Sequence, residues 1–126
     1  MLNLNIHNLN DVAVFQCSGR LVIEDEQRLR RAVVSQAPLR MAVLDLAEVT
    51  AVDAAGVGML LALHAWARNT GTRLKLMNLT PRVEEVLQIS NLRPAFEICS
   101  VPEMIELLCR ANRQHQAQAA AAMVAA

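Results

Sequence analysis

The spacing of hydrophobic positions changes several times along the chain, and each change predicts a different element of secondary structure. Polar and apolar residues alternate over residues 3–7, and residues 12–17 are apolar except for Gln16. These two segments predict a hairpin or two sequential edge strands. Residues 18–21 are expected to break the second strand, and helical spacing of apolar and small residues follows at 23–35. A short apolar run at 41–46 without polar alternation then predicts a central strand buried on both faces.

The second half of the chain continues the alternation of strands and helices. It predicts a helix from Asp53 to a stop at Gly71, a strand over 72–77, a short helix opened by Thr80 and Pro81, a short strand over 96–99 and a final helix over 101–116. Ile105, Leu108 and Cys109 are expected to form the buried side of the final helix. The whole pattern predicts a single α/β domain over residues 1–116, with a mixed sheet of about five strands covered by about four helices. Residues 117–126 form an alanine-rich tail.

The start of the helix after the central strand has an unusual composition. Asp53 is a good helix cap, because its carboxylate can accept hydrogen bonds from the free backbone N–H groups of the first turn. Gly56 and Gly58 are poor helix formers, so a helix with a purely structural role would not place them there. Two glycines leave the backbone bare, which would let another chain approach closely.

The same helix carries an apolar arc that is wider than one sheet-covering stripe requires. Met59, Leu63 and Trp66 extend this arc, and Trp66 is the only tryptophan in the chain. One interpretation is that the whole arc is core. The other is that part of it is an exposed patch for a protein partner, since tryptophan and methionine are enriched in such patches.

Composition excludes several classes of function. Twelve basic and twelve acidic residues cancel, which argues against a nucleic-acid binder. No apolar run is long enough to cross a bilayer, so we expect a cytoplasmic protein without direct membrane insertion. The odd number of cysteines and the scattered histidines match no disulfide framework and no metal site. We also find no catalytic triad and no phosphate-binding loop, so neither an enzyme nor a cofactor is expected.

A short motif resembles that of a known family. Leu44-Asp45-Leu46 ends the central strand, Val49 and Thr50 follow, and Asp53 precedes Gly56-Val57-Gly58 at the start of the helix. This arrangement is similar to the STAS domain of bacterial anti-sigma factor antagonists. In that family a phosphorylatable serine follows the aspartate, whereas this chain has Ala54 and then Ala55. Alanine has no hydroxyl, so the resemblance implies a binding domain that has lost the phosphate switch at this position.

The resemblance also implies a partner and a binding surface. The expected partner is an anti-sigma factor with a kinase-like fold or a scaffold that binds STAS domains, and a homodimer is left open. The expected partner-binding residues are Thr50, Asp53, Ala54, Ala55, Gly56, Val57, Gly58, Met59, Leu63 and Trp66. Thr50 is assigned a role in a turn rather than as a phosphate acceptor.

Two other functions remain open at this point. One is the small STAS subunit of an ABC-type phospholipid transporter, which would not need a phosphoserine. The other is a STAS domain that binds a small ligand or nucleotide, for which we would expect a pocket with convergent polar groups.

Overall fold

The computed structural model describes residues 2–22, 26–110 and 113. The strands are β1 (Asn3–Leu9), β2 (Val12–Leu21), β3 (Met41–Val52), β4 (Arg73–Met77) and β5 (Glu97–Cys99). The helices are α1 (Glu26–Ser35), α2 (Ala54–Thr70), α3 (Pro81–Ile89) and α4 (residues 101–110). The strands form one sheet in the order β1-β2-β3-β4-β5, with β1 antiparallel to β2 and the other neighbours parallel. The predicted α/β fold with a mixed sheet is therefore confirmed.

The sheet separates two hydrophobic cores of different size. Side chains of a strand point alternately to opposite faces, so neighbouring residues enter different cores. Phe15 and Leu44 enter the main core, to which α1, α2 and α3 all contribute. Val14 and Val43 enter a second, smaller core, into which Met104 of α4 packs. Three helices therefore cover one face of the sheet, and α4 covers part of the other.

The predicted ends of α2 and the start of α3 are confirmed, and each depends on local chemistry. Gly71 closes α2 with a left-handed backbone (φ 75°), and its N–H donates to the Ala67 carbonyl. Thr80 caps α3 by accepting from the Val83 N–H at 3.3 Å, with Pro81 at the first helical position. Both signals involve residues close in sequence, which is why the sequence alone identifies them.

The two central strands are longer than predicted. β2 does not break at residues 18–21 but continues to Leu21 through two shifts in its pairing with β3. β3 likewise runs to Val52 instead of ending near residue 46, while its pairing with β4 stops at Asp45 opposite Met77. The ends of β2 and β3 therefore form a two-stranded extension that leads directly into α2.

The expected buried side of α4 is confirmed for Leu108 but wrong for Ile105 and Cys109. Met104 is buried and Leu107 and Leu108 pack against the second core, whereas Ile105 is 57% exposed and Cys109 is exposed. The sheet contacts the side of α4 formed by Met104, Leu107 and Leu108, and this side is rotated relative to the one that the sequence pattern indicated. Residues 23–25, which begin the helix predicted over 23–35, and the tail over 117–126 lie outside the described residues.

Candidate functional site

The start of α2 is held by three backbone and side-chain hydrogen bonds. The Asp53 carboxylate accepts from the Gly56 N–H at 2.8 Å, which confirms the predicted cap. The Asp53 carbonyl accepts from the Val57 N–H at 3.0 Å, and the Asp53 N–H donates to the Leu21 carbonyl at 3.3 Å. The last residue of β2 is thus bonded to the residue that caps α2.

Gly56 is buried and is not available to a partner chain. A Cβ built on it would collide with the Leu21 carbonyl and would lie 2.9 Å from Val52 Cγ2. The expectation that Gly56 leaves bare backbone for another chain is therefore wrong. The close approach exists, but the approaching chain is the end of β2 in the same molecule.

Gly58 faces the opposite way and is exposed. Apart from the neighbouring backbone of α2 itself, no described atom lies within 4 Å of a Cβ built on it. Ala54 is exposed on the same side of α2, and Ala55 is half-buried next to it. Arg68 carries the only charge among the residues of α2 itself, far from its start. The outer surface formed by Ala54, Ala55 and Gly58 is therefore small, apolar and uncharged.

The wide apolar arc of α2 is mainly core. Met59 is 5% exposed and Leu63 is 0% exposed, so the expectation that they belong to an exposed patch is wrong. Val57 is buried as well. Trp66 is half-buried, packs against the main core and borders a groove beside α1. The arc is wide because α2 packs on the sheet below it and on α1 at its side.

A groove between α2 and α3 adds a residue that the sequence analysis missed. It has a volume of about 330 Å³ and is lined by Val52, Asp53, Ala54, Val57, Val86, Ile89 and Ser90. Ile89, at the end of α3, is 74% exposed. The sequence contains one indication of this exposure. Ile89 lies about 200° around the helix from Leu87, which is buried, so Ile89 does not lie on the core-facing side.

Thr50 lies in strand β3 rather than in a turn. Its side chain is exposed, and its hydroxyl donates to the Gly19 carbonyl at 3.2 Å across the two-stranded extension. The expected turn role is therefore wrong. The hydroxyl instead joins β3 to β2 just before α2 begins.

A polar cleft on the other face of the sheet bears on the ligand-binding alternative. Its volume is about 510 Å³, and its described lining includes Asn5, Gln16, Asp45 and Glu48 but no basic residue. The Asp45 carboxylate accepts from the Asn78 amide at 3.2 Å and from the Ala47 N–H at 3.1 Å. A nucleotide phosphate would meet carboxylates here without a cation, which disfavours nucleotide binding.

The described cysteines and histidines form no metal-binding cluster. Burial, and secondarily the charge of Asp45, raises the pKa of the Cys17 thiol to about 12, so this thiol stays neutral at physiological pH. The His64 ring packs edge-on against Phe96 with centroids 5.6 Å apart. Across the described residues, no three His, Cys, Asp or Glu side chains converge as metal ligands. None of the described helices combines the length and the hydropathy needed to cross a bilayer.

The antiparallel edge strand, the parallel central strands and the capped helix after β3 define the chain as a STAS-type domain. It belongs to the family described as Mlab, STAS domain, whose model matches residues 7–97. A STAS-domain containing protein of Pseudomonas aeruginosa (strain UCBPP-PA14) is 35% identical over 85 residues, covering 66% of this chain and 83% of that protein.

Solved structures support the same fold. Unphosphorylated SpoIIAA, an anti-sigma factor antagonist of Bacillus, matches with a TM-score of 0.70 and 19% identity, over 84% of this chain and 96% of SpoIIAA. TM1081 of Thermotoga maritima matches with a TM-score of 0.74 and 20% identity, over 83% of this chain and 93% of that protein. At these identities the likeness concerns the fold.

Proposed function

We propose that this STAS domain is a non-enzymatic regulator in the cytoplasm that binds a folded protein partner. The docking surface consists of Ala54 and Gly58 on α2, Ile89 on α3 and the groove between these helices. Asp53 and Ala55 belong to its rim. Of the other residues expected to bind, Gly56, Val57, Met59 and Leu63 support the surface from below.

The exposed side chain of Ile89 is the observation that carries this proposal. An isoleucine that is 74% exposed beside an apolar groove extends the apolar surface of that groove, and a contiguous apolar surface is a candidate binding site for a protein. The neighbouring surface of α2 is flat, because Gly58 has no side chain and Ala54 has a methyl group. A partner can therefore cover Ile89 and approach the α2 backbone closely at the same time.

Partner binding at this surface would not be controlled by phosphate on α2. In anti-sigma factor antagonists of this family the residue after the aspartate is a serine, and phosphate there adds charge that repels the partner. Ala54 cannot carry phosphate, and no acidic residue lies in the first turn of α2. The surface thus gains no phosphate charge, and the domain either stays permanently competent to bind or is controlled by its abundance.

An anti-sigma factor with a kinase-like fold is the first candidate partner. The reason is that anti-sigma factor antagonists have the same fold as the present chain. The ATPase subunit of an ABC-type phospholipid transporter is the second. The family description, which names Mlab, favours keeping it. Both are folded proteins, and an apolar surface with one protruding isoleucine suits either of them.

Calorimetric titration with each purified candidate from the native host tests the proposal. We expect the parent protein to bind one of them, and Ile89→Glu to raise the Kd by about 30-fold or more, equivalent to about 2 kcal/mol. Gly58→Arg should weaken binding similarly, because it places a long charged side chain where the backbones meet.

Ile105→Glu is the matched control, since Ile105 is also an exposed isoleucine but lies on α4 over the opposite face of the sheet. It should bind the partner as the parent does. If Ile89→Glu and Ile105→Glu weaken binding equally while both variants are folded, the docking surface does not lie at this position. If the parent protein binds neither candidate, both proposed classes of partner are wrong.

A further inference from the structure

The two edges of the sheet are built differently. The β5 edge is three residues long, and its Glu97 forms ion pairs with Arg73 at 3.1 Å and Lys75 at 3.7 Å. Short length and charge are the usual protections of an edge against pairing with another strand. The β1 edge is seven residues long and contains no Asp, Glu, Lys, Arg or Pro.

The β1 edge is also regular. Its pairing with β2 runs without a shift from Asn3 opposite Ser18 to Leu9 opposite Val12. Within the described part of the chain no strand lies on its outer side, where backbone N–H and C=O groups alternate. A regular, uncharged strand of this length can accept another strand along the whole edge.

We propose that the β1 edge is a dimer interface, on which β1 of a second copy pairs antiparallel. The pairing is centred on Ile6, so that Ile6 lies opposite Ile6 of the second copy. Asn5 then lies opposite His7, and Leu4 opposite Asn8. Residues opposite one another differ by an even number of positions, so each pair shares one face of the sheet. The two sheets join into one continuous sheet.

The exposure of Ile6 favours this register. Ile6 pairs with Phe15 of the main core, yet it is 37% exposed because the sheet ends beside it. A second copy brings an identical isoleucine within cross-strand contact on the same face, which covers both side chains. The flanking pairs contain no Asp, Glu, Lys or Arg, so no like charges of these residues oppose one another.

Self-complementarity favours a second copy over an unrelated extended segment. In this register each β1 strand provides the residues that lie opposite the other β1 strand. A two-fold axis through Ile6 closes the assembly after two chains. The interface lies at β1, whereas the proposed docking surface belongs to α2 and α3, which cover β3 and β4. The inference therefore does not depend on the proposed function, and a dimer would present two docking surfaces.

Sedimentation equilibrium of the full chain from micromolar to millimolar concentration tests the interface. We expect the mass to rise from 13.8 kDa to twice that value as the concentration increases. Ile6→Lys places two ammonium groups opposite each other at the two-fold axis, and it should raise the dimer dissociation constant at least about tenfold. Ile105→Lys, an equally charged change at an exposed isoleucine of α4, should leave the constant unchanged.

Mixing Ile6→Lys with Ile6→Glu should restore the dimer, since the opposed charges then attract. Circular dichroism checks the fold of each variant, and Asn5→Lys replaces Ile6→Lys in the experiment should that variant not fold. A parent that stays at 13.8 kDa at millimolar concentration would overturn the proposal, and an unrelated extended segment would then be the better occupant. Dimerisation of the lysine variant with the parental constant, or failure of the mixture to dimerise, would overturn it as well.

Discussion

Gly56 and Gly58 lie two residues apart on one helix and have opposite surroundings. Two positions correspond to a rotation of about 200° around the helix, which separates the core-facing side from the outer side. Gly56 lies against the end of β2, whereas Gly58 has open space around it. The same residue type thus permits packing within the molecule at one position and leaves a flat surface at the other. Substitutions on the two sides of α2 should therefore separate stability from binding.

Leu63→Ala, on the inner side, should have the largest effect on stability. Leu63 is fully buried in the main core, and removal of its side chain leaves a cavity that the surrounding helices and sheet fill only in part. We expect a loss of about 2–5 kcal/mol in the free energy of unfolding, measured by urea denaturation. Ala65→Gly, on the outer side, is the control for helix propensity and should lose only about 1 kcal/mol. A loss below that of the control would mean that the inner side is not core.

Gly56→Ala should have the next largest effect. The added methyl group meets the Leu21 carbonyl and Val52 Cγ2, so either the start of α2 or the end of β2 must move. We expect a loss of about 1–3 kcal/mol from this overpacking, reduced by up to about 1 kcal/mol through the better helix propensity of alanine. A rise in the thermal midpoint would contradict the close approach of β2.

Gly58→Ala should have the smallest effect and the opposite sign. Its methyl group enters open space, and alanine favours the helix by up to about 1 kcal/mol over glycine. The thermal midpoint should therefore rise by a few degrees in a chain of this size. Destabilisation by Gly58→Ala of the same size as by Gly56→Ala would remove the contrast between the two sides of α2.

Sequence reasoning reached the features that depend on neighbouring residues. The cap at Asp53, the left-handed Gly71 and the Thr80–Pro81 helix start all involve residues within a few positions of one another. The order of strands and helices follows from the spacing of apolar residues, which also concerns residues within a few positions of one another. These features and the fold could therefore be predicted from the sequence.

The errors all concern features set by distant parts of the chain. Met59 and Leu63 are buried in the main core between α2, the sheet and α1, and helical spacing alone cannot identify which neighbours are present. β3 extends to Val52 because β2 continues beside it. Ile89 was missed because its exposure becomes informative only beside the groove that α2 and α3 form.

The hydrogen bond from the Asp53 N–H to the Leu21 carbonyl has a consequence for how fast and how tightly a partner is bound. It fixes the first turn of α2 to the end of a strand that is paired along its length, and the Gly56 backbone packs on the same carbonyl. The helix start is therefore preorganised, so little backbone entropy remains to be lost when a partner docks. Affinity differences among variants of the outer surface should then appear mainly in the dissociation rate, because association needs no rearrangement of this part of the chain.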